Sequence, residues 1–229
     1  MKAILLAAGF GTRLRPLTDL IPKCLVQIKK RPLLEIWLET LTKSNINSFL
    51  INTHYLHEKV FAYINNSKYK NNCKIVFEKE LLGTAGTLIS NLNFIGDEDC
   101  ILIHADNYCL ADFDTFIKKH NERPSYCVLT MMTFTTTTPK SCGIIETDSK
   151  GVVVNLYEKV DSPPSNIANG AVYILSREFI EELKNSNNNY TDFVLEIIPK
   201  YLGRIYTYHT KSTFIDIGTP ESYNEANNI

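Results

Sequence analysis

The sequence predicts an α/β fold, three layers deep, with a central mixed, mostly parallel sheet between helices, and three observations carry that expectation. Ala3–Ala7 is a continuous apolar run, the length of a strand and apolar enough to be buried on both faces. Over the first half of the chain such runs alternate with helix-length stripes, the rhythm of parallel strands joined by crossover helices. In the second half, strand-like runs follow one another through short connections, which implies antiparallel pairing.

In order, the first strand gives way to a polar, glycine-containing loop that lasts until Pro22. Pro32 opens a helix whose Leu33, Leu34, Ile36, Trp37, Leu38 and Leu41 form one core-facing stripe; proline suits a first helical turn. Phe49–Asn52 reads as the second strand, Leu56–Ile64 as a helix, and Lys74–Glu78 as the third strand. Thr84–Leu92 reads as a helix and Cys100–His104 as the fourth strand. Strands are then expected at Tyr126–Phe134, Gly143–Thr147, Val152–Glu158 and Ala171–Leu175, with two more at Ile205–His209 and Phe214–Ile217. Asp192–Lys200 and Pro220–Ala226 read as helices. The threonine run Thr135–Thr138 and the asparagine patch Asn185–Asn189 are expected to be exposed turns, so residues 1–229 are read as one domain.

Composition narrows the function classes. At 229 residues with 44% hydrophobic side chains, the chain has enough apolar material for a sizeable core. A formal net charge of −1 argues against a nucleic-acid partner, which calls for a basic surplus, but leaves room for one small polyanion in a local pocket. No stretch reaches the ~18 apolar residues of a membrane span, and the N-terminal apolar run is too short for a secretory leader. Cys24, Cys73, Cys100, Cys109, Cys127 and Cys142 lie far apart with no C-x-x-C pair, which fits reduced thiols in a cytoplasmic protein rather than zinc ligands or a disulfide framework.

The most informative stretch runs from Leu6, Ala7 and Ala8 through Gly9-Phe10-Gly11-Thr12-Arg13-Leu14-Arg15 to Pro22-Lys23. It leaves a buried strand at the carboxyl end of the sheet, where α/β folds place ligands. Gly9 and Gly11 let backbone N–H groups approach an anion with no Cβ in the way. Thr12 adds a hydroxyl, Arg13 a bidentate fork and Lys23 a point charge. The spacing is neither G-x-G-x-x-G nor G-x-x-x-x-G-K-[ST].

This loop resembles the signature of the sugar-1-phosphate nucleotidyltransferases, and further segments match in the same order. Glu80-Leu81-Leu82-Gly83-Thr84-Ala85-Gly86 resembles the family's base-contacting segment, with Glu78 just ahead of it. Ala105-Asp106 stands where the family keeps a metal-binding aspartate, and Phe214-Ile215-Asp216-Ile217-Gly218-Thr219-Pro220 resembles the late motif with the second. Glu158-Lys159 and Asn169-Gly170-Ala171 resemble the sugar-phosphate side, with Gly143 near them.

The resemblance implies a Rossmann-like fold of the nucleotide-diphospho-sugar transferase type. It also implies transfer of a nucleoside monophosphate from a nucleoside triphosphate to a sugar 1-phosphate. Arg13, Lys23, Asp106 and Asp216 would be the catalytic set, and Asp106 and Asp216 the ligands of Mg²⁺. Leu6, Ala7, Ala8, Gly9, Gly11, Thr12, Arg13, Glu78, Gly83, Thr84 and Asp106 would hold the nucleotide. Gly143, Glu158, Lys159, Asn169 and Gly170 would hold the sugar phosphate.

Gly83-Thr84-Ala85-Gly86 most resembles the guanylyl branch, with mannose-, heptose- or other hexose-type 1-phosphates as acceptors for surface-polysaccharide precursors. Uridylyl, thymidylyl and cytidylyl relatives share the loop. The chain departs from the family at Val160, where a proline is common, and at Cys142, where a tyrosine is frequent. It ends soon after the late motif, so no C-terminal β-helix domain is expected, and homo-oligomer formation is left open. Two other classes stay in view: a non-catalytic binding domain, and a glycosyltransferase. The second would favour Asp-x-Asp where this chain has Ala105-Asp106-Asn107-Tyr108.

Overall fold

A computed structural model describes residues 1–186 and 189–229. The strands are β1 (Lys2–Leu6), β2 (Gln27–Ile28), β3 (Arg31–Pro32), β4 (Phe49–Thr53), β5 (Cys73–Phe77), β6 (Cys100–His104), β7 (Asn107–Cys109), β8 (Leu129–Thr135), β9 (Gly143–Thr147), β10 (Val153–Glu158), β11 (Ile167–Leu175), β12 (Ile205–His209) and β13 (Phe214–Asp216). The helices are α1 (Leu17–Leu20), α2 (Leu33–Lys43), α3 (His57–Asn65), α4 (Gly83–Ser90), α5 (Leu92–Ile95), α6 (Phe113–Asn121), α7 (Arg177–Asn185) and α8 (Pro220–Asn228). They fall into two compact units.

The first unit comprises Met1–Leu81, Ile103–Ala111 and Ser212–Ile229. Here β1, β4 and β5 pair in parallel, Ala3 opposite Phe49 and Phe49 opposite Cys73. Ala3, Ile4 and Leu5 are fully buried, and every residue of β4 is buried, as a strand covered on both faces requires. The six predicted stripe residues of α2 are all buried. Pro32 sits one residue before the helix in an extended conformation, and not inside its first turn. β7 and β13 form an antiparallel pair with Asp216 opposite Asn107.

The second unit comprises Leu82–Leu102 and Asp112–Lys211. As expected from the change of rhythm, β9 pairs antiparallel with β10 and β11, and β11 with β8; β12 joins β8 in parallel. Tyr126 lies outside β8, because Cys127 N donates to Pro124 O (2.8 Å) and the chain turns there before the strand begins. β11 starts at Ile167, so Asn169 and Gly170 lie within a strand.

Asp192–Lys200 is less regular than a helix. A π-helical turn at Phe193–Ile197 leads into a 3₁₀ turn at Ile198–Tyr201, and Pro199 has no N–H to continue an α-helical ladder. Thr135 ends β8 and Thr136 is buried, its N–H donating to Asn166 O (2.9 Å), so the threonine run is an exposed turn only in part. Asn187 and Asn188 of the asparagine patch lie outside the described residues.

Four helices had not been anticipated: the four-residue α1 and α5, and the longer α6 and α7. Asp112 caps α6, accepting from the N–H groups of Asp114 and Thr115, and Ser176 caps α7, accepting from Phe179 N. Among the described residues no helix is long and apolar enough to cross a membrane. All six cysteines are free thiols; burial pushes those of Cys24 and Cys109 up to about 12, which leaves them unreactive.

Candidate active site

The glycine loop grows directly from β1. Gly11 takes a left-handed conformation (φ 64°) at the head of a short 3₁₀ turn, and Thr18 Oγ1 donates to its carbonyl (2.7 Å). A Cβ on Gly11 would lie 2.9 Å from Thr18 Cγ2 and 3.2 Å from Lys23 Cβ, so the fold itself asks for glycine there. Gly9 differs: among the described residues a Cβ would meet nothing within 4 Å, and its φ is not in the left-handed region. No described neighbour requires glycine at position 9, whereas close approach of an anion to bare backbone would. Gly9→Ala is therefore expected to leave the Tm within about 2 °C of wild type while raising the nucleotide KM roughly tenfold. Melting curves alongside pyrophosphate-release kinetics check this.

Four charged side chains of the first unit gather below the loop. Lys23 Nζ lies 2.7 Å from Asp106 Oδ2 and 3.5 Å from Asp216 Oδ1. Arg13 Nη2 lies 3.8 Å from Asp216 Oδ2. The Lys23 side chain is only 10% exposed while that of Arg13 is 68% exposed, so one cation is built in and the other can swing. The local fold explains the meeting. Trp37, buried on α2, donates its indole N–H to Asn107 O (2.8 Å), which fixes the start of β7. Ile217 N then donates to Asp106 O (3.1 Å), and the β7–β13 register sets Asp216 beside Asp106.

Burial opposes the charged form of Asp106, but attraction to Lys23 and His104 and the hydrogen bond from Lys23 outweigh it and hold its pKa below the usual carboxylate range. Gly218 is also part of the cluster. A Cβ there would lie 2.9 Å from both Arg13 Nη2 and Asp216 Oδ2, so glycine leaves room for the pair. The sequence showed Gly218 only as part of a motif.

Asp106 and Asp216 suit a hard divalent cation. Their carboxylates share one ammonium, and Mg²⁺ is ordinarily held by one or two carboxylates, with water and phosphate oxygens completing the shell. Among the described residues no group of three or more His, Cys, Asp or Glu side chains could form an all-protein cage.

Glu78 follows β5 and is 4% exposed. Its N–H donates to Thr53 O (2.8 Å), its carbonyl accepts from His54 Nδ1 (2.8 Å), and its Oε1 accepts from Asn52 Nδ2 (2.9 Å). Asn52, buried at the end of β4, also accepts from Ala7 N–H (2.7 Å). Sequence reasoning missed Asn52. A polar residue ending a strand carries no signal until its partners, 45 and 26 residues away, are known.

In the second unit Gly83 starts α4 with φ 75°, and a Cβ would collide with the backbone carbonyl of Thr191. Ala85 N donates to that same carbonyl (3.0 Å), and Thr84 Oγ1 accepts from Phe193 N–H (2.8 Å). Gly83 and Thr84 thus have structural work here whatever ligand they meet. Gly83→Ala should destabilise the protein by about 2–4 kcal/mol, from left-handed strain and a backbone clash together, read as a lower urea midpoint.

Gly143 opens β9, and a Cβ there would strike the Glu158 carboxylate, which also lies 3.3 Å from Lys159 Nζ. Lys159 takes φ 51° and donates its N–H to Cys142 O (3.2 Å). Gly143, Glu158 and Lys159 are therefore neighbours, as their shared assignment requires. Asn169 Nδ2 donates to the Tyr173 hydroxyl (2.7 Å), and Asn169 Oδ1 accepts from Ala171 N–H (2.9 Å), with Gly170 between them.

Comparison with known proteins agrees with the resemblance. D-glycero-α-D-manno-heptose 1-phosphate guanylyltransferase of Campylobacter jejuni is 29% identical over 97% of this chain and 97% of its own length. UTP–glucose-1-phosphate uridylyltransferase of Synechocystis sp. is 28% identical over 99% of this chain but 62% of its own length. The chain spans less than two thirds of several of the curated relatives it matches. Among solved structures, HddC of Yersinia pseudotuberculosis complexed with GMP-PN matches with a TM-score of 0.82 and 27% identity, covering 99% of this chain and 98% of that one. The fold is that of these nucleotidyltransferases, a mixed, mostly parallel central sheet flanked by helices. Residues 2–229 match the family described as nucleotidyl transferase, and the chain belongs to that family.

Proposed function

We propose that this chain transfers a nucleoside monophosphate, preferentially from GTP, to a hexose- or heptose-type sugar 1-phosphate and releases pyrophosphate. The observation that carries the reading is Lys23, buried and held between Asp106 and Asp216 beneath a loop whose Gly9 has open space where a side chain would stand. Two cations and two carboxylates balance in charge, and a bound divalent cation tips the cluster positive towards a triphosphate.

The reaction is in-line. An oxygen of the sugar phosphate bonds to the α-phosphorus, the bond from that phosphorus to the bridging oxygen breaks, and pyrophosphate leaves with the electron pair. The attacking phosphate has its second pKa near ~6 and is already an anion at pH 7, so no side chain need remove a proton. What remains is alignment and charge stabilisation. The backbone from Leu6 through Ala8, Gly9, Gly11 and Thr12 cradles the triphosphate, while Arg13 and Lys23 offset charge on the departing phosphates. Asp106 and Asp216 would hold Mg²⁺, which would supply Lewis-acid polarisation of the phosphoryl oxygens. Gly83 and Thr84 line the base, and Gly143, Glu158, Lys159, Asn169 and Gly170 receive the sugar phosphate.

The preference for guanine rests on Glu78. A carboxylate only accepts, and guanine's pairing edge offers two adjacent donors, where cytosine and adenine offer one amino group and uracil one imide N–H. The heptose guanylyltransferase relative and the GMP-PN complex of the matching structure favour the same base. A uridylyl reading keeps support from the Synechocystis relative. Free, mostly buried thiols fit a reducing cytoplasm.

The test is pyrophosphate release in Mg²⁺, with GTP, UTP, CTP, dTTP and ATP each paired with a panel of sugar 1-phosphates. A strong signal for GTP with one acceptor is the expected result. A strong signal with UTP alone replaces the guanylyl reading, and silence together with no nucleotide binding removes the enzymatic one.

A further inference from the structure

Asn52 joins two parts of the first unit that lie far apart in sequence. β1 and β4 pair in register as far as Leu6 opposite Asn52, and the backbone ladder stops where the glycine loop begins. The next donor, Ala7 N–H, is taken by the Asn52 side chain at 2.7 Å. A backbone N–H can only donate, so the oxygen of the Asn52 amide must face Ala7 and its nitrogen must face the other way. That nitrogen donates to Glu78 Oε1 at 2.9 Å. Both side chains are 4% exposed, so neither bond competes with bulk water.

The orientation of one amide is therefore set from both sides. Aspartate would put a second acceptor against Glu78; leucine would leave the Ala7 N–H and the carboxylate without this partner; glutamine is one methylene too long for the same reach. A second constraint acts on Glu78 from its own backbone, through Thr53 O and His54 Nδ1. The carbonyl of Glu78 can only accept, so the His54 Nδ1 in that contact carries the proton.

We propose that Asn52 is a positioning residue that ties the base-reading carboxylate of Glu78 to the root of the phosphate loop, so that one amide sets both base choice and the seating of the triphosphate. This rests on the nucleotidyl-transfer reading with Glu78 at the base. Asn52 itself touches no reacting atom.

The test compares wild type with Asn52→Asp, Glu78→Gln and the double variant Asn52→Asp/Glu78→Gln, measuring kcat and KM for GTP and UTP by pyrophosphate release. In Asn52→Asp the acceptor for Ala7 N–H survives and the donor to Glu78 is lost. The GTP-over-UTP ratio of kcat/KM should fall about tenfold, through KM with kcat little changed. In the double variant the hydrogen bond re-forms with reversed polarity, Gln donating to Asp. Thermal stability should then recover towards wild type while the guanine preference stays lost.

An unchanged base ratio in Asn52→Asp overturns the proposal, as does a loss confined to kcat. Should Asn52→Asp fail to fold, Asn52→Ser, which loses the reach to Glu78 without adding charge, is read by the same ratio. If wild type releases no pyrophosphate with any pair, the transfer reading fails by itself. The proposal is then decided by equilibrium binding of GTP and UTP to the same variants, where a Kd for GTP raised relative to that for UTP supports it and an unchanged ratio overturns it. Absence of nucleotide binding by wild type overturns both.

Discussion

Lys23→Met is expected to lower kcat/KM for the nucleotide by about 10³-fold, the scale seen when a preorganised donor to developing phosphate charge is removed. The side chain is 10% exposed and already sits on two carboxylates, so it is in place before the triphosphate arrives and no reorganisation is needed at the moment of bond breaking. Methionine keeps the length and apolar stem and deletes only the ammonium. Stability should fall as well, and its pH dependence has a definite sign.

In wild type the pKa of Asp106 is held below the usual carboxylate range of about 3.9. The stability it contributes is therefore present at neutral pH and lost as the pH drops below about 4, through the depressed folded value. In Lys23→Met burial is left without its main counterweight and the pKa rises. The deficit relative to wild type should then be largest near neutral pH and narrow as the solution is acidified towards pH 4. Urea midpoints measured from pH 7 to pH 4 would show this; a deficit independent of pH would mean that Asp106 had lost nothing with the ammonium.

Asp216→Ala should cost roughly 10²-fold in kcat at saturating substrates, with a half-saturating Mg²⁺ concentration raised tenfold or more. Unlike Lys23, Asp216 is half exposed, and its pairs with Lys23 and Arg13 are long, at 3.5 and 3.8 Å. Exposed pairs of that kind contribute little to folding, so the Tm should stay within about 2 °C of wild type. The combination separates a role in chemistry from a role in structure. Near-normal turnover in Asp216→Ala would remove its proposed function, and wild-type turnover that survives excess EDTA would remove the metal reading altogether.

Much of the first unit was legible in the sequence because its signals are local. Ala3–Ala7 reads as a strand from five consecutive residues, and the stripe of α2 names its own six buried positions. The charged cluster was legible only through order along the chain, since nothing local in Ala105-Asp106 says that residue 216 lies beside it. α6 went unread because its apolar stripe is thin, whereas α7 was missed although Phe179, Ile180 and Leu183 mark one face. α6 buries Phe113, Phe116 and His120, so a histidine stands at the third core position of a helix otherwise rich in charge. The caps Asp112 and Ser176 were the available signals. Asn52 and Gly218 were hidden for a different reason: each matters through atoms brought close only by folding.

Trp37 is the only tryptophan in the chain, and its indole N–H is bonded to the carbonyl of the residue that follows Asp106. Its emission can be excited apart from that of the twelve tyrosines, so one buried indole, anchored one residue from a carboxylate of the charged cluster, can be read by itself. A shift of β7 of a few tenths of an ångström stretches that bond and changes the emission of one unlabelled ring. An emission change on mixing with Mg²⁺ and nucleotide is the expected sign that the proposed site is being loaded, read by stopped-flow optics with no dye and no engineered reporter.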